Sequence, residues 1–350
     1  MERADESLAF ILQYENIAWY EAGEVRILDR RVYPQKIHYV ICKTYQEVAQ
    51  AIADMVTQSA GPYTAAGMGM ALAAYEARFL KGEEFSEYMS RAAYVLSNAR
   101  PTTKVRMKAI VDECLMVAEQ ARINVLPIDR EIFNHTINTL NGRYKKIEKI
   151  ASYLINVFPQ ETNLLTYCYA ETIVGQVLKL AKQKNRNVKV FCPETRPYLQ
   201  GSRLTASVVY DMGFDVTVIT DNMVSYALQT QKINVFTTAA DAICMDGSVI
   251  NKIGTSQLAI VCKYYGIPYF VTGAPDKGKE TTDYSDIEMR NSDFVLEIMG
   301  HRIAKEGVKG LYPAFDITLP HLISGVVTDL GIYSPYDLNM YYKQNGQGEY

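Results

Sequence analysis

The feature that most restricts the fold is an alternation between residues 163 and 272. Short continuous apolar runs at 163–168, 188–192, 216–220, 235–238, 242–245 and 269–272 are interleaved with stretches of helical periodicity at 172–184, 202–212, 223–231 and 255–265. A strand that is apolar on both faces must be covered on both. The pattern therefore predicts a parallel sheet with right-handed crossovers and helices on either side. Ligands of such sheets bind beyond the carboxyl ends of the strands. That makes Cys168, residues 193–200, Asp221, residues 238–241 and residues 272–275 the candidate positions.

The preceding portion is different. Residues 24–43 read as extended, with β-branched residues alternating over 31–41, and residues 45–57 place Val48, Ile52, Met55 and Val56 on one helical face. Further helices are predicted at 64–81, 84–98, 103–122 and 130–158, with Pro101 and Pro127 at breaks between them. The expected fold class is α/β: a mainly helical domain with a short β section over 1–150, then a Rossmann-like domain over 151–350, its parallel sheet flanked by helices. The alternation is expected to close at 269–272, and the polar end, residues 341–350, is expected to fray.

Charge and composition narrow the function. The 350 residues carry 36 Lys+Arg against 39 Asp+Glu, a net charge of −3, which argues against a nucleic-acid partner. No apolar stretch is long enough to span a membrane, and the charged residues 1–7 are followed by no long apolar run, so neither a membrane partner nor a signal peptide is expected. Six scattered cysteines without a CxxC pair fit free thiols in a reducing cytoplasm. His38, His135, His301 and His321 have no metal-ligand spacing, so no metal is expected. No GxGxxG, P-loop or GxSxG string follows a strand; Gly67-Met-Gly69-Met lies in a helical pattern and lacks the third glycine. No cofactor is expected.

Each candidate has two readings. Cys168 is either a small buried hydrophobe or, just before a predicted helix N-terminus, a thiol whose ionised form the helix dipole favours. Asp241 is either a turn or cap residue or a carboxyl that burial among alanines would raise, which suits a general acid near neutral pH. Arg196, in the polar string Glu194-Thr-Arg196-Pro-Tyr-Leu-Gln200-Gly201, either pairs with Glu194 or another carboxylate or meets a ligand. Asn251-Lys252 ahead of the helix at 255 is a plain cap or an anion site of a lysine and free amides. Arg100 is a surface residue of a helix-cap loop or a ligand partner.

Taken in order, these strings resemble a known family. Ile27-Leu-Asp-Arg-Arg-Val-Tyr-Pro34 is similar to its early LDQ-x-LP segment, and Arg100-Pro-Thr to its RPT loop. Glu194-Thr-Arg-Pro-Tyr-Leu-Gln-Gly-Ser-Arg-Leu-Thr205 is similar to ETRPRLQGARLT, Asn251-Lys-Ile-Gly-Thr255 to NKIGT, and Pro313-Ala-Phe-Asp-Ile-Thr318 to PAFDVT. The family comprises 5-methylthioribose-1-phosphate isomerases, ribose-1,5-bisphosphate isomerases and translation initiation factor 2B-type regulatory subunits. Its catalytic members carry a cysteine in a THCN-like strand end and an aspartate in a GADR-like one. Thr166-Tyr-Cys168-Tyr169 and Ala239-Ala-Asp241-Ala242 occupy those places here.

The resemblance implies an aldose–ketose isomerase acting without a cofactor on a sugar phosphorylated at its anomeric carbon. Asp241 would be the acid at the ring oxygen, and Cys168 would act at carbon 2. Arg100, Gln200, Asn251 and Lys252 would hold the substrate, together with the loop Gln58, Ser59 and Ala60. It also implies a homodimer formed through the second domain. The alternative is a non-catalytic sensor of a sugar phosphate or nucleotide, which leaves the retained Cys168 and Asp241 unexplained. The chain departs from the family at its phosphate loop, where RGAPAIG has become Gln58-Ser-Ala-Gly-Pro-Tyr63 and the arginine is Gln58. Tyr169, Ala239 and Ala242 also replace the motif residues beside the cysteine and the aspartate. Those changes point to a divergent branch, such as one acting on 5-deoxyribose 1-phosphate.

Overall fold

The computed structural model describes residues 2–100 and 104–344. They fall into two compact units that divide between Lys145 and Lys146. The fold class matches the expectation, with a mainly helical first unit and a parallel-rich sheet between helices in the second.

The first unit begins with a small antiparallel sheet of β1 (Ala18–Glu21), β2 (Glu24–Leu28) and β3 (Tyr39–Cys42). Residues 30–35 are turns rather than the extended run expected from their alternation, because Asp29 folds back on the chain: its carboxylate accepts from the Arg31 amide and guanidinium. Helices α1 (Tyr45–Ala53), α2 (Gly61–Glu76), α3 (Gly82–Ser97), α4 (Lys104–Ile123) and α5 (Ile128–Val157) follow near the predicted bounds, the division between the units falling within α5. Thr44 and Glu47 close a capping box on α1, each satisfying an otherwise unpaired amide of the first turn. Helix α2 is buried on nearly every side among α1, α3, α4 and β1, which is why it shows no polar face and still forms a helix. The predicted start of α4 touches residues 101–103, which lie outside the described residues.

The second unit holds β4 (Glu161–Thr166), α6 (Thr172–Gln183), β5 (Asn187–Pro193), α7 (Ala206–Asp211), β6 (Asp215–Ile219), α8 (Val224–Thr230) and β7 (Val235–Ala239). These are followed by β8 (Ala242–Ile243), β9 (Val249–Lys252), α9 (Thr255–Tyr264) and β10 (Tyr269–Thr272). Then come α10 (Asp293–Leu296), the short hairpin β11 (Glu297–Ile298) and β12 (His301–Arg302), β13 (Phe315–Thr318), β14 (Gly325–Thr328), β15 (Gly331–Tyr333) and α11 (Asn339–Gln344). The main sheet runs β15-β14-β10-β7-β4-β5-β6, parallel throughout except for β15 at one edge.

Four expectations need correction. The sheet does not close at 269–272, since β14 pairs parallel to β10 and carries β15 with it. The run at 242–245 does not join the main sheet; β8 pairs with β9, and β9 with β13, in a separate antiparallel sheet. The helix expected at 202–212 opens as a π-helical turn, Gly201–Thr205, before α7. Residues 341–344 are helical rather than frayed, with the buried Tyr341 donating to Asp329 Oδ1 at 3.0 Å, while 345–350 lie outside the described residues.

The sheet order places the site. From β4 the chain builds outward through β5 to β6, then crosses back to lay β7 on the other side of β4. The order therefore reverses between β4 and β7, whose Thr166 and Thr237 are register partners. Such a reversal opens a crevice at the carboxyl ends of the two strands. Cys168 follows one of them and Asp241 the other.

Candidate active site

Cys168 is held by its backbone. Its N–H donates to Thr195 Oγ1 at 3.1 Å, and its carbonyl accepts from Thr205 Oγ1 at 2.5 Å. The residue sits at φ +60°, and Glu171, Thr195 and Leu199 are likewise left-handed. Non-glycine residues avoid this region unless their surroundings impose it, and such residues gather at functional sites. Here the surroundings include Asp221, whose two carboxylate oxygens accept from the Thr195 and Arg196 amides at 2.8 and 2.7 Å. The candidate Asp221 thus anchors the loop after β5 and, through Thr195, the backbone of Cys168.

The thiol environment is mixed. Cys168 is half-buried, and desolvation pushes its thiol up to about 11. Lys252, the Tyr169 amide and Arg290 oppose that rise, and the Asp241 carboxylate adds to it. Lys252, Asp241 and Arg290 therefore all lie close enough for their charges to act on one sulfur. The helix-dipole advantage expected for the thiolate is outweighed by burial.

Asp241 is exposed rather than buried among its flanking alanines as expected. Its N–H donates to the Ile250 carbonyl at 3.0 Å, which ties the end of β7 to β9.

Asn251 and Lys252 do not stand at a helix start. They end β9, in register with Asp316 and Phe315 of β13. Both are buried; Asn251 Nδ2 donates to Thr255 Oγ1 at 3.2 Å, and Lys252 Nζ donates to the Ala314 carbonyl at 3.1 Å and lies 5.0 Å from the Phe315 ring centroid. The amides that open α9 are not free for an anion, as had been expected. Asp316 takes two of them, accepting from Gly254 at 2.7 Å and from Ser256 at 3.1 Å. Burial pushes the Asp316 carboxyl up to about 6, the Gly254 and Ser256 amides and Lys252 opposing. Gly254 is required at its position: it sits at φ +103°, and a Cβ there would fall 2.3 Å from Tyr167 Oη.

The loop after β5 supplies the rest. Gln200 is buried and its Oε1 has no hydrogen-bond partner among the described residues, an acceptor that a ligand could use. The Arg196 guanidinium bonds no carboxylate among the described contacts; only its backbone amide does, to Asp221. Its Nη2 donates to the carbonyls of Val295 and Glu297 at 3.1 and 2.8 Å, which fastens this loop to α10 and β11.

Two site residues were not foreseen. Arg290 packs its guanidinium 5.9 Å from the Tyr198 ring centroid and 5.6 Å from that of Phe315, and its Nε donates to Glu288 Oε1 at 2.9 Å. Asp316 lay within a quoted motif without a role. The available signal for Arg290 was Glu288-Met-Arg290, since side chains two apart in an extended segment share a face.

The first unit carries the other candidates. Gln58 is buried, its Oε1 without a hydrogen-bond partner among the described residues, and Ser59 and Ala60 lead into α2, whose first turn has Pro62 and no side-chain cap. Arg30 is fully buried beneath this loop and donates from Nη1 to the Gln58 carbonyl at 2.6 Å. Relative to the motifs the chain resembles, arginine and glutamine have changed places: Arg30 stands at the glutamine of LDQ and Gln58 at the arginine of RGAPAIG, and the two residues touch. Arg100 is half-buried and outside any helix; the remainder of its predicted loop, residues 101–103, lies outside the described residues.

Known proteins match this arrangement along most of its length. The family model for the Initiation factor 2 subunit family matches residues 58–335. A protein named methylthioribose-1-phosphate isomerase from Thermosipho melanesiensis is 35% identical over 346 residues, covering 92% of this chain and 96% of its own. A putative methylthioribose-1-phosphate isomerase of Methanocaldococcus jannaschii is 35% identical over 322 residues, covering 89% and 92%. The crystal structure of 5-methylthioribose 1-phosphate isomerase from Pyrococcus horikoshii superposes with a TM-score of 0.82 at 28% identity, covering 95% of this chain and 96% of that one. The structure of translation initiation factor eIF-2B, subunit delta, from A. fulgidus superposes at 0.79 and 28%, covering 91% and 96%.

Proposed function

The chain belongs to the Initiation factor 2 subunit family, and within it we propose that it is an aldose–ketose isomerase of a 5-substituted or 5-deoxy ribose 1-phosphate. Its standing as an isomerase follows from the relatives of that name, 32–35% identical along nearly the whole chain. The observation that carries the finer reading is the pair Cys168 and Asp241 at the reversal point of the sheet, with Lys252 beside the thiol.

The reaction follows from the substrate class. A phosphate on the anomeric carbon keeps the ring closed, so the ring must open before the hydrogen on carbon 2 can move. Asp241 gives a proton to the ring oxygen and the bond from carbon 1 to that oxygen breaks. The hydrogen on carbon 2 then passes to carbon 1 beside Cys168, and the hydroxyl on carbon 2 loses its proton to become the ketone, regenerating the acid. No cofactor enters the balance. If the hydrogen moves as a proton through the thiolate, a deuterium on carbon 2 washes out; if it moves as a hydride, the label is kept.

In the second unit, Lys252 serves the phosphate as a compact charge, and Gln200 and Asn251 serve the sugar hydroxyls. For Arg100, a planar fork, and for Gln58, Ser59 and Ala60, a part in binding the substrate rests on the resemblance alone. Gln58 does not separate 5-deoxyribose 1-phosphate from 5-methylthioribose 1-phosphate, since both carry their phosphate on carbon 1; the replacements at Tyr169, Ala239 and Ala242 beside the cysteine and the aspartate support a divergent branch, such as one acting on 5-deoxyribose 1-phosphate. We place the working protein in a reducing cytoplasm, as a homodimer built through the second unit.

Proton NMR of the purified protein with each sugar phosphate tests this reading. Conversion to the ribulose 1-phosphate supports it, and the ratio of the two rates assigns the carbon 5 group. Binding heat without conversion of either would instead favour the alternative, a non-catalytic subunit that binds a sugar phosphate or nucleotide.

A further inference from the structure

Arg290 lies outside every motif quoted above, yet it is built into the site. Its backbone N–H donates to the Tyr312 carbonyl at 2.9 Å, and its side chain is fixed at Nε by Glu288. Two rings carry the guanidinium, Tyr198 and Phe315. Phe315 is the same ring on which Lys252 rests, so one aromatic plate seats two cations. Tyr198 belongs to the loop whose Thr195 accepts the Cys168 amide, which gives a continuous chain of contacts from the guanidinium to the backbone of the thiol residue. Two like charges converging on one ring repel each other, and that arrangement is favourable where a negative charge lies between or beside them.

We infer that Arg290 is a positioning residue of this site: on Phe315 it shares the seat of Lys252, and through Tyr198 it braces the loop whose Thr195 holds the Cys168 backbone, so that its charge and packing set the surroundings of the sulfur.

The charged and titratable groups facing the sulfur fit this role. Lys252 at the end of β9 and Arg290 favour the ionised form, and Asp241 after β7 opposes it. Tyr312 ahead of β13 and Tyr167 after β4 both feel the sulfur's charge, and burial keeps both hydroxyls protonated well above the ordinary tyrosine range. Arg290 is thus one of two positive groups acting against the desolvation of the thiol.

The inference rests on the isomerase reading only for its consequence in turnover, and its test uses no sugar. Cys168 is half-buried and the other five cysteines are buried, so iodoacetamide labels it selectively; peptide mass mapping and a Cys168→Ser control verify the site. The rate of labelling is followed against pH for the wild type and for Arg290→Met, Arg290→Gln and Arg290→Lys. The two neutral variants are expected to label about tenfold more slowly at pH 8, with profiles displaced upward by about one pH unit. Arg290→Lys is expected to stay within about threefold of the wild type. A neutral variant that folds, by circular dichroism, and labels with the wild-type profile would overturn the inference. A displaced profile in a protein that converts neither ribose phosphate would support it and count against the isomerase reading alone.

Discussion

The two units hold their candidate residues by different means. In the second unit, polar side chains from other parts of the fold fix the backbone around the candidates: Asp221 holds the loop after β5, Asp316 holds the turn after β9, and Thr195 and Thr205 hold Cys168. In the first unit, the loop at Gln58 rides on an almost wholly buried helix and on a single guanidinium beneath it. A polar lattice can lose one reacting atom and keep its shape. A loop seated on apolar packing transmits any change of volume or charge directly into stability. Substitutions in the second unit should therefore separate activity from folding, whereas those under the Gln58 loop should couple them.

The sharpest separation is expected at Cys168. Cys168→Ser keeps both backbone hydrogen bonds and should lower kcat about 10³-fold, with an unfolding midpoint in urea close to that of the wild type. Asp241→Asn, on an exposed residue, should do the same. A large loss of stability in either would break the comparison. The lattice has points where backbone shape is itself the constraint, and there folding should give way. A Cβ at Gly201 would lie 1.8 Å from the Pro193 carbonyl oxygen, so Gly201→Ala should cost about 3 kcal/mol or more, measured by urea unfolding.

Asp316 gives a pH-dependent version of the same test. Its folded value of about 6 lies above the ordinary 3.8, so between these values the folded chain keeps a proton that the unfolded chain has released. Its contribution is fully present below about pH 4 and is lost as the pH rises through 6, a change of roughly 2 to 3 kcal/mol. Asp316→Asn should remove this slope. The difference in unfolding free energy between variant and wild type at pH 4.5 and at pH 7.5 measures it, and an unchanged difference would contradict the assignment.

The smallest effect concerns the exchanged pair in the first unit. Gln58→Arg alone brings a second guanidinium beside the buried Arg30, and Arg30→Gln alone removes the donor to the Gln58 carbonyl. Each should destabilise by about 2 kcal/mol, and the double variant should recover about half of the sum. Strict additivity in urea would mean that the two residues are independent despite their contact.

The sequence revealed the fold where structure is local or repeated. Strands β4, β5, β7 and β10 carry buried apolar runs and announce themselves, the edge strand β6 keeps a β-branched run although it is largely exposed, and the helices of the first unit keep their period. Strand β14 was missed because it is four residues long, starts at Gly325, and follows a long stretch without alternation. Strand-end reasoning reached Cys168, Asp221 and Asp241 because the sheet's topology puts them there. It could not reach Arg290, whose place depends on two rings, Tyr198 and Phe315, distant from each other in sequence. Nor could it show that Asp316 caps a helix sixty residues earlier, which left the amides of α9 open on paper and closed in the fold.

The central claim is that the strand-end site of the second unit converts a ribose 1-phosphate to its ketose through Cys168. The most direct measurement is proton NMR of 5-deoxyribose 1-phosphate and 5-methylthioribose 1-phosphate incubated with the wild type and with Cys168→Ser at equal concentration. The account predicts that the ketose signals of at least one substrate grow with the wild type and not with the folded variant. Equal conversion by both proteins, or none by the wild type with either sugar, would contradict it.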